Sequence, residues 1–198
     1  MDIRKLTLVF GALAIAVAVG VSGLSILGTP RQTGEGPAGG MVGGPFSLVD
    51  HEGLPVQEAD FRGRHMLIFF GYTSCPDVCP TALLVISEAL DLVGPLASEV
   101  RPVFVTVDPE RDTPSVLADY RRHFHTSLVT LTGTPKSVAA AAKAYNVFYA
   151  KAPGDDADDY LMDHSASIFL IDGRGRYVTR LRAEAGPEAM AARLREAL

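Results

Sequence analysis

Hydrophobic and polar positions fall into three regimes along this chain. Residues 6–30 carry no charge, and residues 6–27 are almost entirely Leu, Val, Ile, Ala, Gly and Phe. At about 1.5 Å per residue such a run reaches about 33 Å as a helix, enough to cross a hydrocarbon core of about 30 Å. Residues 28–45 then hold seven glycines and three prolines in eighteen positions. That composition cannot bury a core and predicts a flexible tether. From residue 46 to 198 short apolar runs alternate with stretches of helical period, as in a folded domain.

Within that domain, apolar stretches 46–49 and 54–56 flank His51-Glu52-Gly53 and predict a hairpin. Residues 66–72 form a continuous apolar run, as expected of a strand buried on both faces. A helix is predicted over 80–93, a strand over 103–107, a helix over 114–124, a strand over 128–131 and a helix over 135–145. A second hairpin pairs 167–171 with 176–181 around Asp172-Gly173-Arg174-Gly175, and a last helix covers 187–196. Pro80, Pro114, Pro135 and Pro187 are each placed at a first helical position, where the missing N–H costs nothing. Thr113 and Thr134 add hydroxyl caps. Strands alternating with helices and ending in a hairpin predict an α/β domain with a mixed sheet. No internal repeat is visible.

The length, 198 residues, fits one domain with a tail, and 47% apolar residues supply a full core. Eighteen basic against 23 acidic residues give a net charge of −5, and residues 46–198 alone carry −6 (15 basic, 21 acidic). That balance excludes a nucleic-acid binder, which needs a basic footprint. Arg4 and Lys5 precede the apolar run, so residues 1–5 are expected in the cytoplasm and the domain outside it. A cleaved signal peptide is the alternative, with small residues at Val21-Ser22-Gly23. The run exceeds the about 7–15 residues of a signal core, which favours a retained anchor over 6–27. No cysteine follows the run to take a lipid, and no basic presequence precedes it, which favours bacterial export over mitochondrial import.

Only two cysteines are present, Cys75 and Cys79. Two exclude a disulfide-dense scaffold and a four-cysteine zinc or iron–sulfur site. They stand where a buried strand gives way to a helix, the place where open α/β sheets put their sites. With i,i+4 spacing their sulfurs can share one face, close enough for a disulfide. A helix N-terminus favours a thiolate, while Asp77 opposes it. A purely structural bridge over so short a loop adds little stability. Tyr160-Leu161-Met162-Asp163-His164-Ser165 lies just before the strand at 167–171. Two thiolates and an imidazole form a soft, low-coordinate donor set suited to Cu(I) and workable for Cu(II). Zinc fits such donors too, but no His-x-Glu motif supplies the base of a catalytic zinc site.

Three motifs carry a resemblance to the Sco/SenC family of copper-delivery proteins. They are Gly71-Tyr72-Thr73-Ser74-Cys75-Pro76-Asp77-Val78-Cys79-Pro80, Asp108-Pro109-Glu110-Arg111-Asp112-Thr113-Pro114, and Asp163-His164-Ser165 ahead of Phe169-Leu170-Ile171-Asp172. Their order and spacing match from residue 44 to about 181. The resemblance implies a thioredoxin-like fold with an added N-terminal hairpin and an insertion before the ligand histidine, held outside the cytoplasm by one N-terminal transmembrane helix. It implies one copper, bound by Cys75, Cys79 and His164, and delivered to the CuA site of cytochrome c oxidase subunit II. A periplasmic copper donor and the bacterial inner membrane complete the implied setting. The chain is then a single-pass metallochaperone rather than an enzyme. Ser74 is a departure, since many relatives carry His or another residue there, and no ligand role is lost by the change.

A second reading stays open. Thioredoxin oxidoreductases carry Cys-x-x-Cys, and the extra residue here alters geometry and redox poise without forbidding exchange. The chain would then be a membrane-anchored thiol–disulfide reductase that keeps the CuA cysteines reduced, with Cys75 and Cys79 as its redox pair. His164 discriminates the two, because copper needs it and disulfide exchange does not. A peroxidase is disfavoured, since no Thr-x-x-Cys precedes Cys75. Met162 reads as packing more than as a thioether ligand. Asp163 is a candidate to orient His164. His123 and His125 face apart, and His51 and His65 have no partner in sequence. Asp155, Asp156, Asp158 and Asp159 read as a solvated loop, or as a landing patch for a basic donor.

Overall fold

The computed structural model describes residues 42–152 and 160–198. The apolar run 6–27, most of the tether and the acidic run at 155–159 therefore lie outside the described residues. The folded part belongs to a compact unit that spans Met41–Leu198.

Nine strands are present among the described residues: β1 (Ser47–Asp50), β2 (Pro55–Gln57), β3 (His65–Gly71), β4 (Val100–Thr106), β5 (Val129–Thr132), β6 (Tyr149–Lys151), β7 (Met162–His164), β8 (Ile168–Ile171) and β9 (Tyr177–Leu181). Four helices accompany them: α1 (Val78–Val93), α2 (Pro114–Tyr120), α3 (Pro135–Ala144) and α4 (Pro187–Ala197). Seven strands form one sheet in the order β2-β1-β5-β4-β3-β8-β9, and β6 and β7 pair separately. The sheet is mixed. β3, β4 and β5 run parallel, while β1 is antiparallel to β5 and β8 antiparallel to β3. The expected α/β architecture with an N-terminal hairpin, β1–β2, is what the sheet shows.

β3 lies at the centre, bonded to β4 from His65↔Val100 to Gly71↔Thr106 and to β8 on its other side. A strand so placed has both faces covered, which is why Met66 to Phe70 are all buried and read as an unbroken apolar run. β3 ends at the cysteine loop, so the most constrained strand of the domain carries the first half of the site. α1 buries Cys79, Ala82, Leu83, Ile86, Ala89, Leu90 and Val93, the stripe of an amphipathic helix. α1 packs against α4. The stretch Val78–Glu99 is long and apolar enough to span a bilayer, but that buried stripe explains its composition.

Three of the four proline starts are as predicted, with Pro114, Pro135 and Pro187 opening α2, α3 and α4. Thr113 accepts from Val116 N and Thr134 from Ser137 N, which caps two of them. α1 differs. It begins at Val78, so Pro80 is its third residue and Cys79 is already helical. The proline is tolerated because the first intrahelical bond is donated by Thr81 N, to Asp77 O at 3.1 Å. The three N–H groups before it have no partner within the helix in any case. The helix predicted to 124 stops at Tyr120 and tightens to a 3-10 turn over Arg121–His123. The β6–β7 pair had no counterpart in the periodicity, because strands of three residues are too short to show one.

Candidate metal centre

Cys75 sits in the loop between β3 and α1, and Cys79 in the first turn of α1. Helical spacing is therefore not what brings their sulfurs together. The loop folds back across the helix start, Cys75 N donates to Tyr72 O at 3.3 Å, and Cys79 N donates to Cys75 Sγ at 3.4 Å. Cys75 thus satisfies one of the amides that a helix start leaves unpaired. Both thiols are free.

His164 closes β7, where Tyr149↔His164 is a register pair with β6. Its Nε2 lies 3.3 Å from Cys79 Sγ. The donor atoms of Cys75, Cys79 and His164 all fall within 4.8 Å of one another, the one such group among the described residues. His164 Nδ1 lies 3.2 Å from Ser165 O. A carbonyl only accepts, so Nδ1 carries the proton and Nε2 presents a lone pair to the sulfurs. The imidazole is walled by Tyr72, edge-on with ring centroids 5.9 Å apart, and by Phe69 at 6.1 Å.

Cys79 is fully buried, and loss of hydration pushes its thiol well above the usual range. His164 is shifted below 6.5 for the same reason, partly offset by the Ser165 carbonyl and the Asp163 charge. Burial therefore disfavours both charged forms, and a bound cation is what would offset the cost of a thiolate there. Gly71 makes room for the buried sulfur. A Cβ on Gly71 would stand 2.7 Å from Cys79 Sγ and 2.9 Å from the Phe104 ring. Only a residue without a side chain fits at that strand end.

The other sequence candidates are not brought to this centre. Asp163 is exposed and pairs across to Ala150, and the ring it was expected to orient is held by the Ser165 carbonyl instead. Met162 is buried as packing. His125 bonds to Ser127 Oγ at 2.7 Å and His123 lies against Phe124, so the two share no ion. Asp77 accepts from Thr81 Oγ1 at 3.3 Å. Tyr72, Thr73, Asp112 and Tyr160 are neighbours of the site that residue chemistry alone had not singled out. Tyr72, Thr73 and Asp112 lie inside two of the three motifs and Tyr160 in the segment that leads to His164, and those positions are the only signal the sequence offers.

The SCO1/SenC family profile matches residues 35–198. An SCO2-like protein of Rickettsia felis is 37% identical over 186 residues, covering 89% of this chain and 90% of its own. Among solved structures, Bradyrhizobium japonicum ScoI with copper bound superposes with a TM-score of 0.74 at 44% identity, over 79% of this chain and 99% of that one. Yeast Sco1 with copper bound superposes with a TM-score of 0.73 at 35% identity, over 79% and 87% of the two chains. BsSco, which shares the fold at 19% identity and a TM-score of 0.62, is a member of the Sco family of cytochrome c oxidase assembly proteins. On the span of this match and the identity to full-length relatives, the chain belongs to the SCO1/SenC family.

Proposed function

We propose that this protein binds one copper ion through Cys75, Cys79 and His164 and delivers it to the CuA site of cytochrome c oxidase subunit II. The observation that carries the reading is the convergence of those three donor atoms within 4.8 Å at the end of the central strand. Two sulfurs and one neutral imidazole nitrogen match the softness of Cu(I) and leave a low coordination number. A partly exposed Cys75 beside a buried Cys79 suits cargo that must leave, since a partner's donor can reach the ion from the Cys75 side. Similarity to two relatives with copper bound supports the choice of metal. Residues 6–27 serve as a single-pass inner-membrane anchor, 28–45 as a tether, and 46–198 as the periplasmic copper-binding domain, which takes its ion from a periplasmic donor.

The same two thiols support a second reading, a thiol–disulfide reductase. One sulfur is accessible and the other buried behind it, the arrangement of an attacking and a resolving thiol. Cys75 would attack a target disulfide, expelling one target thiol and forming a mixed disulfide, and Cys79 would then attack the Cys75 sulfur and displace the target sulfur still bound to it. Two electrons pass to the target, and the Cys75–Cys79 disulfide is left for an external dithiol to reduce. Copper needs the imidazole beside Cys79 as a ligand, whereas disulfide exchange does not require it, which favours delivery.

The deciding experiment is metal titration of the reduced full-length protein in detergent, followed by optical and magnetic spectra. One copper per chain with sulfur-to-copper charge transfer is expected. In cells under limiting copper, His164→Ala should lose oxidase activity as severely as Cys75→Ala. Full CuA assembly by His164→Ala overturns delivery in favour of the reductase.

A further inference from the structure

The Asp108–Asp112 loop contains two buried carboxylates that the metal centre does not use. Asp112 is fully buried, and Asp108 is 2% exposed. Buried carboxylates are costly unless every lone pair is met. Those of Asp112 are met from the cysteine side. Thr73 N donates to it at 3.0 Å, Thr73 Oγ1 at 2.5 Å and Thr106 Oγ1 at 2.5 Å. Thr73 is two residues before Cys75. Asp108 is met from the histidine side. Tyr160 Oη donates to it at 2.7 Å, and Arg111 pairs with it. The Arg111 guanidinium stacks 3.7 Å from the Tyr160 ring centroid and 5.8 Å from that of Tyr72. Tyr160 is four residues before His164. Thr106 joins the two halves, because its Oγ1 also accepts from Asp108 N at 2.9 Å.

We propose that this loop is a brace that sets the spacing between the cysteine pair and the histidine. Asp112 is the positioning residue for the cysteine loop, and Asp108 with Tyr160 positions the strand that carries His164. The path Thr73–Asp112–Thr106–Asp108–Tyr160 is continuous in hydrogen bonds, so neither ligand segment moves without breaking one. Lys151 adds a tie to β6, with its ammonium 2.8 Å from Glu110 Oε2 and 4.2 Å from the Tyr160 ring centroid. This inference rests on the copper-site reading for its functional consequence, though not for the existence of the brace.

Two conservative variants of the full-length protein separate the arms. Tyr160→Phe removes one hydroxyl and keeps the ring on Arg111. Thr73→Val removes one hydroxyl and keeps the backbone donor. Tyr160→Phe should weaken Cu(I) in chelator competition by about tenfold, the usual scale for groups that hold a ligand in place. It should also change the nitrogen hyperfine splitting of Cu(II), yet leave the Cys75–Cys79 midpoint potential at its wild-type value. Thr73→Val should move both the copper affinity and the potential. In metal-free protein, amide exchange in Tyr160→Phe should quicken in β7 and not at residues 73–79. Wild-type copper affinity and spectra in both variants, or exchange that quickens equally across the domain, overturns the brace. Failure of wild-type protein to bind copper, with the local exchange pattern as expected, overturns the copper reading and leaves the brace standing.

Discussion

Cys79 Sγ and His164 Nε2 lie 3.3 Å apart although 85 residues separate them along the chain. One belongs to the first turn of α1, the other to a three-residue strand outside the main sheet. Local geometry dictates neither approach, and the contact exists because two separately supported segments end at the same place.

That contact separates the two functions by mutation. Replacing His164 by Ala should weaken copper by about 100-fold or more, since a ligand is lost from a site with few. The Cys75–Cys79 disulfide should still form and reduce, as judged by thiol titration. Cys75→Ala and Cys79→Ala should lose both properties, because each needs both sulfurs.

Gly71→Ala should be costly despite its small size. The added Cβ meets Cys79 Sγ at 2.7 Å and Phe104 at 2.9 Å, both immobilised in the core. Overpacking of this kind costs about 1–3 kcal/mol. Chemical denaturation measures that loss, and the Cu(II) charge-transfer band should shift because the sulfur is displaced. An unchanged band would mean that Cys79 is not a ligand.

Copper affinity should rise with pH. Burial holds the Cys79 proton tightly, and that proton must leave for sulfur to bind a metal. His164 is shifted below 6.5, so it is already neutral near pH 7 and competes for protons only in acid. Competition titrations from pH 6 upward should show affinity climbing throughout. A flat profile contradicts the buried thiol as ligand.

Asp172 marks an acid-sensitive turn. Burial raises its carboxyl, but bonds from Arg176 N, Arg176 Nε and Arg174 N, with the Arg176 charge, together outweigh it and hold the carboxyl down at about 2 against an ordinary 3.8. A depressed carboxylate contributes stability above its unfolded value and loses it as pH falls toward the folded one. The β8–β9 hairpin contribution should therefore be complete above about pH 4 and fade toward pH 2. Asp172→Asn should melt lower than wild type at pH 7, with the difference closing at pH 2, followed by circular dichroism.

The domain should fold without the N-terminal 41 residues. β1 starts at Ser47, and the earliest described tie is Gly43 N to Ala144 O at 2.9 Å. A chain beginning at Val42 should melt and bind copper as the full-length protein does. A reporter active only in the periplasm, fused after Leu198, should work in cells. An inactive reporter would overturn the exported placement.

The sequence by itself determined the central elements, because their signals are local. The run at 66–72 is apolar throughout since β3 is covered on both faces, and Pro114, Pro135 and Pro187 announce helices through a fixed φ and a missing N–H. Both cysteines and His164 were legible as soft donors of a recognisable pattern. Tertiary structure alone decided how they meet. It moved the start of α1 back to Val78, put Cys75 in a loop that folds over that start, and built the β6–β7 pair from strands too short to show periodicity. It also replaced Asp163 by the Ser165 carbonyl at the imidazole. Partners such as Thr73 with Asp112, 39 residues apart, are chosen by where buried carboxylates find donors, and that is a property of the packed chain rather than of any segment within it.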